Sequence, residues 1–389
     1  MKIHGTWGKS VVVWIICIQC LVPVLKQVSG SWMYLAMIGI SKSELESQQD
    51  STIGQTSEMT ACSTVPDLVP KQIKVCQEHP GTIHAVSAGA KLGILECQRQ
   101  FRYERWNCTP EGGYNVFGHT LKRGSKEAAF IHAIFSAGVV QALTESCSSG
   151  NLTVCACDRS QQGYTSTADG WKWGGCSDNV RYGISFARLF VDATEKTPRK
   201  TAAEDNSQSE NDKKKNWKRR MQHLKAMMNL HNNHVGRLAV SKHMQLKCRC
   251  HGVSGSCELK TCWRKLPSFY EVGTHLKQKY EESVRVRKGR RKLRRRDKRR
   301  PKVRKYDLVH LRRSPNFCLQ DLANGILGTT GRQCNKTSKN ADGCDLLCCG
   351  RGYNTQLIRH SERCRCKFHW CCNVSCDICV TDVEIYTCK

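Results

Sequence analysis

Residues 248–262 read Cys248-Arg-Cys-His-Gly-Val-Ser-Gly-Ser-Cys-Glu-Leu-Lys-Thr-Cys262. Two cysteines stand on each side of the six-residue core HGVSGS. A Cys250–Cys257 bridge would close a tight ring around that core, and a Cys248–Cys262 bridge would enclose the first. Each such staple stabilises a fold by roughly 2–4 kcal/mol. Gly252 and Gly255 permit backbone angles that other residues resist, and everything around Ser254 is small. The stretch therefore reads as a projecting hairpin tip with an accessible hydroxyl. A plainer reading is a structural disulfide loop whose serines bond their own backbone, and on the residues alone the plainer reading has the stronger claim.

Two chemistries are disfavoured. A nucleophile elbow requires G-x-S-x-G between a strand and a helix. Here the fifth position of Gly252-Val253-Ser254-Gly255-Ser256 is serine, and no run of buried strands precedes it. Zinc sites need reduced thiolates, usually in repeated C-x2-C pairs, and no such repeat is present. His231 and His234 lie three apart on a helical segment and can chelate in principle, but packed or solvated histidines are the simpler account. No metal, cofactor or catalytic residue is expected.

The rest of the chain supports oxidation of these cysteines. The 389 residues include 26 cysteines. Residues 1–30 read as a secretory signal peptide: Lys2, the apolar VVVWIICIQCLVPVL, and a small-residue cleavage site at Val28-Ser29-Gly30. Its loss removes Cys17 and Cys20 and leaves 24 cysteines, an even number that fits twelve disulfides. Four sequons, at Asn107, Asn151, Asn335 and Asn373, agree with secretion. The apolar run of the leader is short for a membrane span, and no transmembrane helix is expected elsewhere.

The charge is strongly one-sided, 62 Lys+Arg against 33 Asp+Glu, net +29. Outside cells the available polyanions are sulfated glycans and anionic lipid surfaces rather than nucleic acid. Much of the charge sits in Arg285–Lys305, where fifteen Lys/Arg meet one acid, Asp297. Like charges at that density repel, so residues 284–312 read as a flexible basic linker. Arg290, Arg291, Arg294, Arg295 and Arg296 are the candidate heparan sulfate ligands. RRKLRRR and DKRR there also resemble furin-type cleavage sites.

The linker divides two textures. Before it, Ile83, Val86, Ala90 and Ile94 form one helical stripe, and Ser125 is placed to cap a helix over 126–145 that is apolar on nearly every face. Further helices are expected over about 178–191, 218–246 and 266–282, with 193–220 a polar surface loop. After the linker, twelve cysteines fall within 318–388 and few apolar runs remain. Short strands held by cross-links are expected there. The first half of the mature chain also carries twelve cysteines, so each half can close its disulfides internally. The expected fold is a disulfide-rich α+β protein: a helical N-terminal domain at 31–283 carrying the 248–262 hairpin, and a cysteine-rich β domain at 313–389.

The stretch CRCHGVSGSCELKTCW resembles the hallmark of the Wnt family of secreted signalling proteins. FRYERWNC (101–108), WKWGGCSDNVRYG (171–183), NLHNNHVGR (229–237), CDLLCCGRGYNT (344–355) and RCRCKFHWCC (363–372) carry the resemblance along the chain from about Cys62 to Lys389. The resemblance implies a non-enzymatic ligand shaped like a hand, with a lipidated thumb and an index finger. It implies a monounsaturated C16 (palmitoleoyl) chain on Ser254, attached by a membrane acyltransferase and inserted into the cysteine-rich domain of a Frizzled receptor. Gly252, Val253, Ser254 and Gly255 would meet the receptor at the thumb. Phe368, Trp370, Cys371, Cys372 and Val374 would meet it at the finger.

Further implied partners are a co-receptor of the low-density-lipoprotein-receptor-related type or an alternative one, a carrier during secretion, and heparan sulfate proteoglycans in the extracellular space and matrix. The implied disulfides are Cys248–Cys262, Cys250–Cys257, Cys364–Cys379, Cys366–Cys376 and a vicinal Cys371–Cys372. Cys97, Cys108, Cys147, Cys155, Cys157, Cys176, Cys318, Cys349, Cys334, Cys344, Cys348 and Cys388 are also assigned to bridges. Asn373 departs from the family pattern because a glycan there would sit where the finger should dock, and the site is expected to be unoccupied. The reading from a different class is a heparin-binding matrix protein whose basic linker is its working part.

Overall fold

The computed structural model describes residues 32–38, 62–63, 65, 68–111, 116–166, 171–196, 210–288, 293–297 and 302–389. The signal peptide and the 197–209 part of the expected polar loop lie outside them.

Helix α1 (Pro70–Glu78) leads through Gly81, at φ 76°, into α2 (Thr82–Gln100). A short α3 (Gly118–Arg123) precedes α4 (Lys126–Ser148). Strand β1 (Lys172–Trp173), α5 (Val180–Phe190) and the long α6 (Glu210–Lys242) follow. Helix α4 is the centre of the domain. It is long and apolar enough to cross a membrane, yet its apolar window is wholly buried inside the protein. Its all-round hydrophobicity is that of a core helix enclosed by neighbours.

Helix α2 approaches α4 closely because Gly89 faces Gly138. A Cβ on Gly138 would lie 2.2 Å from the Gly89 carbonyl oxygen. The predicted α2 stripe, Ile83, Val86, Ala90 and Ile94, is buried in this contact region. Ser125 stands at the N-cap of α4, but its hydroxyl donates to the Glu127 carboxylate instead of accepting from the helix backbone. Trp32 packs edge-on against Phe135 and Phe190, so the first residues after the expected leader enter the core. A buried ion pair between Arg237 and Asp192, 3.0 Å apart, fixes α6 against the end of α5.

Two expectations need correction. The helix expected over 218–246 starts at Glu210, and residues 193–196 are also helical, with Ala193 buried. The polar run 210–220 is mostly Lys and Arg, good helix formers even without an apolar face. The second correction concerns the basic linker. Strands β4 (Val284–Lys288), β5 (Leu293–Arg295) and β6 (Val309–His310) form a three-stranded sheet. Val284, Val286 and Val309 are buried with Met228 of α6. The sequence Val284-Arg-Val-Arg alternates at period two, which puts valines inward and arginines outward. Charge density alone hid that pattern.

The C-terminal unit is cross-linked with a small core of Cys344, Leu347, Cys348 and Cys388. Strand β7 (Gln333–Cys334) pairs with β9 (Asn373–Cys388), which forms a long antiparallel hairpin with β8 (Tyr353–His369). Among the described residues eleven disulfides are closed, and all lie within one half or the other. The halves meet through polar contacts. The Arg332 guanidinium donates to the carbonyls of Glu104, Arg105 and Arg102 at 2.7–3.0 Å. Arg105 donates to Leu346 O at 3.0 Å, and Ser314 donates to Glu127 at 2.7 Å.

Candidate functional site

Two hairpins project from this body. The first joins β2 (Gln245–Cys250) to β3 (Lys260–Lys265), with β1 alongside β3. Cys248 lies directly opposite Cys262 in the antiparallel register, and the two are bridged. Cys250–Cys257 closes the inner ring. The loop within the ring is self-supporting. Gly252 N–H donates to Ser256 O at 2.8 Å, Gly255 N–H to Gly252 O at 3.0 Å, and Ser256 N–H to Val253 O at 3.1 Å. A Cβ on Gly252 would fall 1.9 Å from Ser256 Oγ, so this fold of the loop requires glycine there.

Ser254 sits in the left-handed region, φ 55°, at the apex. It is exposed, and among the described residues nothing hydrogen-bonds its hydroxyl. The loop's bonds are made by its backbone, which leaves Ser254 Oγ available. That answers the plainer reading of the serines: the apical one is not spent on the loop. Val253 beside it is 87% exposed. His251 donates its backbone N–H to Leu259 O at 2.7 Å.

The second hairpin, β8–β9, extends well beyond its single contact with β7. Cys364–Cys379 and Cys366–Cys376 staple it. One extra residue on β8 between Cys364 and Lys367 makes a bulge, with Arg365 at φ 47°. Phe368 and Val374 are directly opposite and share a face; Trp370 at the turn is 94% exposed.

The tip differs from expectation. Cys371 and Cys372 are free, exposed thiols, not a vicinal bridge. They are successive turn residues at φ 68° and 76°, and the hairpin closes by backbone pairing up to His369–Asn373 without a bond between them. Asn373 is exposed beside this tip. Asn151 and Asn335 are exposed as well, whereas Asn107 is half-buried and accepts from Thr109 Oγ1 at 2.8 Å.

The basic stretch is sorted by its strand register. Arg294 is opposite Arg287 and exposed; Arg295 is opposite Val286, half-buried, with its guanidinium 4.0 Å from Asp307. Arg296 is exposed and donates its backbone N–H to Arg285 O. Partial desolvation and the nearby charges of Arg296 and Arg313 lower the pKa of Arg285. The outward face is therefore a cluster of cations without Arg295. Arg290 and Arg291 lie outside the described residues. His231 is packed, with its Nε2 2.8 Å from the Asp307 carbonyl oxygen. Cys334, Cys348 and Cys388 lie close together, but their sulfurs belong to the Cys334–Cys344 and Cys348–Cys388 bridges.

A helical domain with a doubly stapled, serine-tipped hairpin, joined to a cysteine-rich unit with a second stapled hairpin, defines a secreted signalling ligand of the Wnt type. The Wnt family profile matches residues 64–389, and the chain belongs to that family. Its relatives include protein Wnt-16 of Bos taurus, 45% identical over 368 residues, and protein Wnt-16 of Mus musculus, 44% identical over 370 residues. Each comparison covers 92% of this chain and 92% of the relative. Among solved structures, the complex of human WLS with WNT8A contains a similar chain, with TM-score 0.55 and 37% identity over 79% of this chain and 94% of that one. Members of this family are signalling ligands, not enzymes, which removes the nucleophile-elbow reading of Ser254.

Proposed function

We propose that this protein is an acylated Wnt ligand that binds a Frizzled receptor through its thumb hairpin, with a C16:1 chain on Ser254. The observation that carries the reading is the free hydroxyl at the apex of a doubly stapled loop, where Gly252 and Gly255 keep the surroundings bare. Burying a CH2 group contributes about 0.8 kcal/mol, so a C16 chain offers on the order of 10 kcal/mol before ordering costs. A single chain holds a membrane only reversibly, which suits handover from a carrier to a receptor. The WLS complex of a related chain supports such a carrier step.

Gly252, Val253 and Gly255 would frame the chain at the receptor. Phe368, Trp370 and Val374 would press the finger against the receptor's other side, with Cys371 and Cys372 at its end. An unoccupied Asn373 is required for that contact. A co-receptor of the low-density-lipoprotein-receptor-related type, or an alternative one, completes the mechanism by bringing two membrane proteins together. The outward arginines Arg287, Arg294 and Arg296 favour a supplementary role in holding the ligand on heparan sulfate in the matrix.

Mass spectrometry of the reduced peptide spanning Cys250–Cys257 tests the first step and should show the C16:1 mass on Ser254. Ser254→Ala should lose Frizzled binding and keep heparin binding. If the unmodified variant signals normally, the thumb reading fails and the matrix-protein reading takes its place.

A further inference from the structure

The thumb carries more than its apical serine. Residues 245–265 contain Lys247, Arg249, Lys260, Arg264 and Lys265 against one acid, Glu258. Arg249 and Lys260 flank the inner ring: Arg249 pairs with Thr261, and Lys260 pairs with Cys250. Among the described residues neither of these side chains makes an ion pair or a hydrogen bond. Beyond them, at the end of the hairpin, stand the exposed apolar side chains of Val253 and Leu259. The order from the tip is therefore apolar residues, then unpaired cations, then the protein body.

We propose that this hairpin is a docking site for an anionic lipid surface. Val253 and the Ser254 acyl chain enter the acyl boundary, while Arg249 and Lys260 hold lipid phosphates at headgroup depth. The depth of insertion rests on the acyl-serine reading; the dependence on the two cations does not. The dimensions agree. Arg249 and Lys260 lie five and six residues from Ser254, so at about 3.3 Å per residue they stand at most roughly 16–20 Å behind the tip. Their long stems reach back toward the headgroups while the charges stay hydrated.

One acyl chain gives only marginal membrane binding, and a second, cationic signal is what makes such anchoring stable. The arrangement fits a lipid surface better than a glycan. Cations stacked behind an apolar tip match the depth profile of a bilayer, whereas a sulfated chain is matched by a lateral row of arginines such as that on β4 and β5.

The test is co-sedimentation of the purified, secreted chain with phosphatidylcholine vesicles, with and without phosphatidylserine. Arg249→Gln with Lys260→Gln should weaken binding to the anionic vesicles roughly 25-fold, at about fivefold per charge, and binding to neutral vesicles less than about twofold. The charge-preserving pair Arg249→Lys with Lys260→Arg should restore it, which separates charge from folding. Ser254→Ala should weaken binding to both vesicle types. If mass spectrometry finds no acyl chain, neutral-vesicle binding should be absent while the effect of the two cations persists.

An equal loss from Lys71→Gln with Lys91→Gln, on α1 and α2 rather than on the hairpin, would overturn the proposal in favour of diffuse charge. So would an unchanged vesicle affinity in the Arg249/Lys260 variant accompanied by weaker heparin retention, which would make the cations a glycan site.

Discussion

His132 of α4 is the residue at which solvent exclusion has its clearest chemical consequence. Burial, with the nearby charge of Lys225, lowers its pKa from 6.5 to about 3. Burial likewise lowers His275 and His310 to about 4, each helped by neighbouring cations. The unfolded chain then binds protons that the folded chain refuses between these values and pH 6.5. Stability is full above about pH 6.5 and falls as the pH drops toward 3. For His132 alone the loss at pH 5 is about 2 kcal/mol. Thermal unfolding should show a lower midpoint at pH 5 than at pH 7. His132→Met should flatten that dependence without abolishing it, because the other two histidines act in the same direction. An unchanged slope would mean that His132 is not held neutral by the fold. The sequence places His132 within an apolar helix, but only the packing around α4 makes it wholly buried.

At the scale of elements, the sheet β4–β5–β6 shows how a charge run can conceal a structured segment. Its valines cover Met228, and Arg287, Arg294 and Arg296 face outward. Val284→Asp, opposite Val309 in the register, would bury a carboxylate among Val309 and Met228, at a cost of several kcal/mol. The expected outcome is selective protease sensitivity at 284–296, with the helical domain intact by circular dichroism. Cleavage as slow as in the parent chain would show that the sheet contributes no protection.

Much of the remaining architecture was legible in the sequence. The core helix over 126–145 was read from its all-round hydrophobicity, and the stapled hairpin from four cysteines and two glycines. The start of α6 is hidden in the sequence because residues 210–220 have no apolar stripe to signal a helix. The free state of Cys371 and Cys372 is not legible in the sequence, because the family resemblance implies a bridge while this tip closes through its backbone.

For the whole molecule, the two halves are independently cross-linked and joined largely by polar contacts. Arg332 concentrates that junction, with three hydrogen bonds from one guanidinium to the 102–105 segment. Arg332→Ala should weaken the junction by about 2 kcal/mol. Hydrogen exchange should accelerate at the backbone amides of residues 102–106 and 330–334, while the disulfide pattern and the amides of α4 stay unchanged. Protection equal to the parent chain would place the junction's stability elsewhere, in Arg105, Ser314 and the aromatic contact of Trp106 with Phe317. On the proposed function, gripping a receptor at two hairpins would depend on this junction for the distance between them.

The sequence by itself determined the chemistry of the chain: an oxidised, cysteine-rich, basic protein with a helical half, a cross-linked half and a serine set among small residues. These follow from composition and local spacing, which need no long-range contact to be read. Only the tertiary structure decided which arginines face outward, that the linker docks on α6, that Trp32 enters the core, and that the Ser254 hydroxyl is left unbonded. Each of those depends on which surfaces meet across long sequence separations, and burial at such contacts sets the orientation of a side chain more strongly than its neighbours in sequence do.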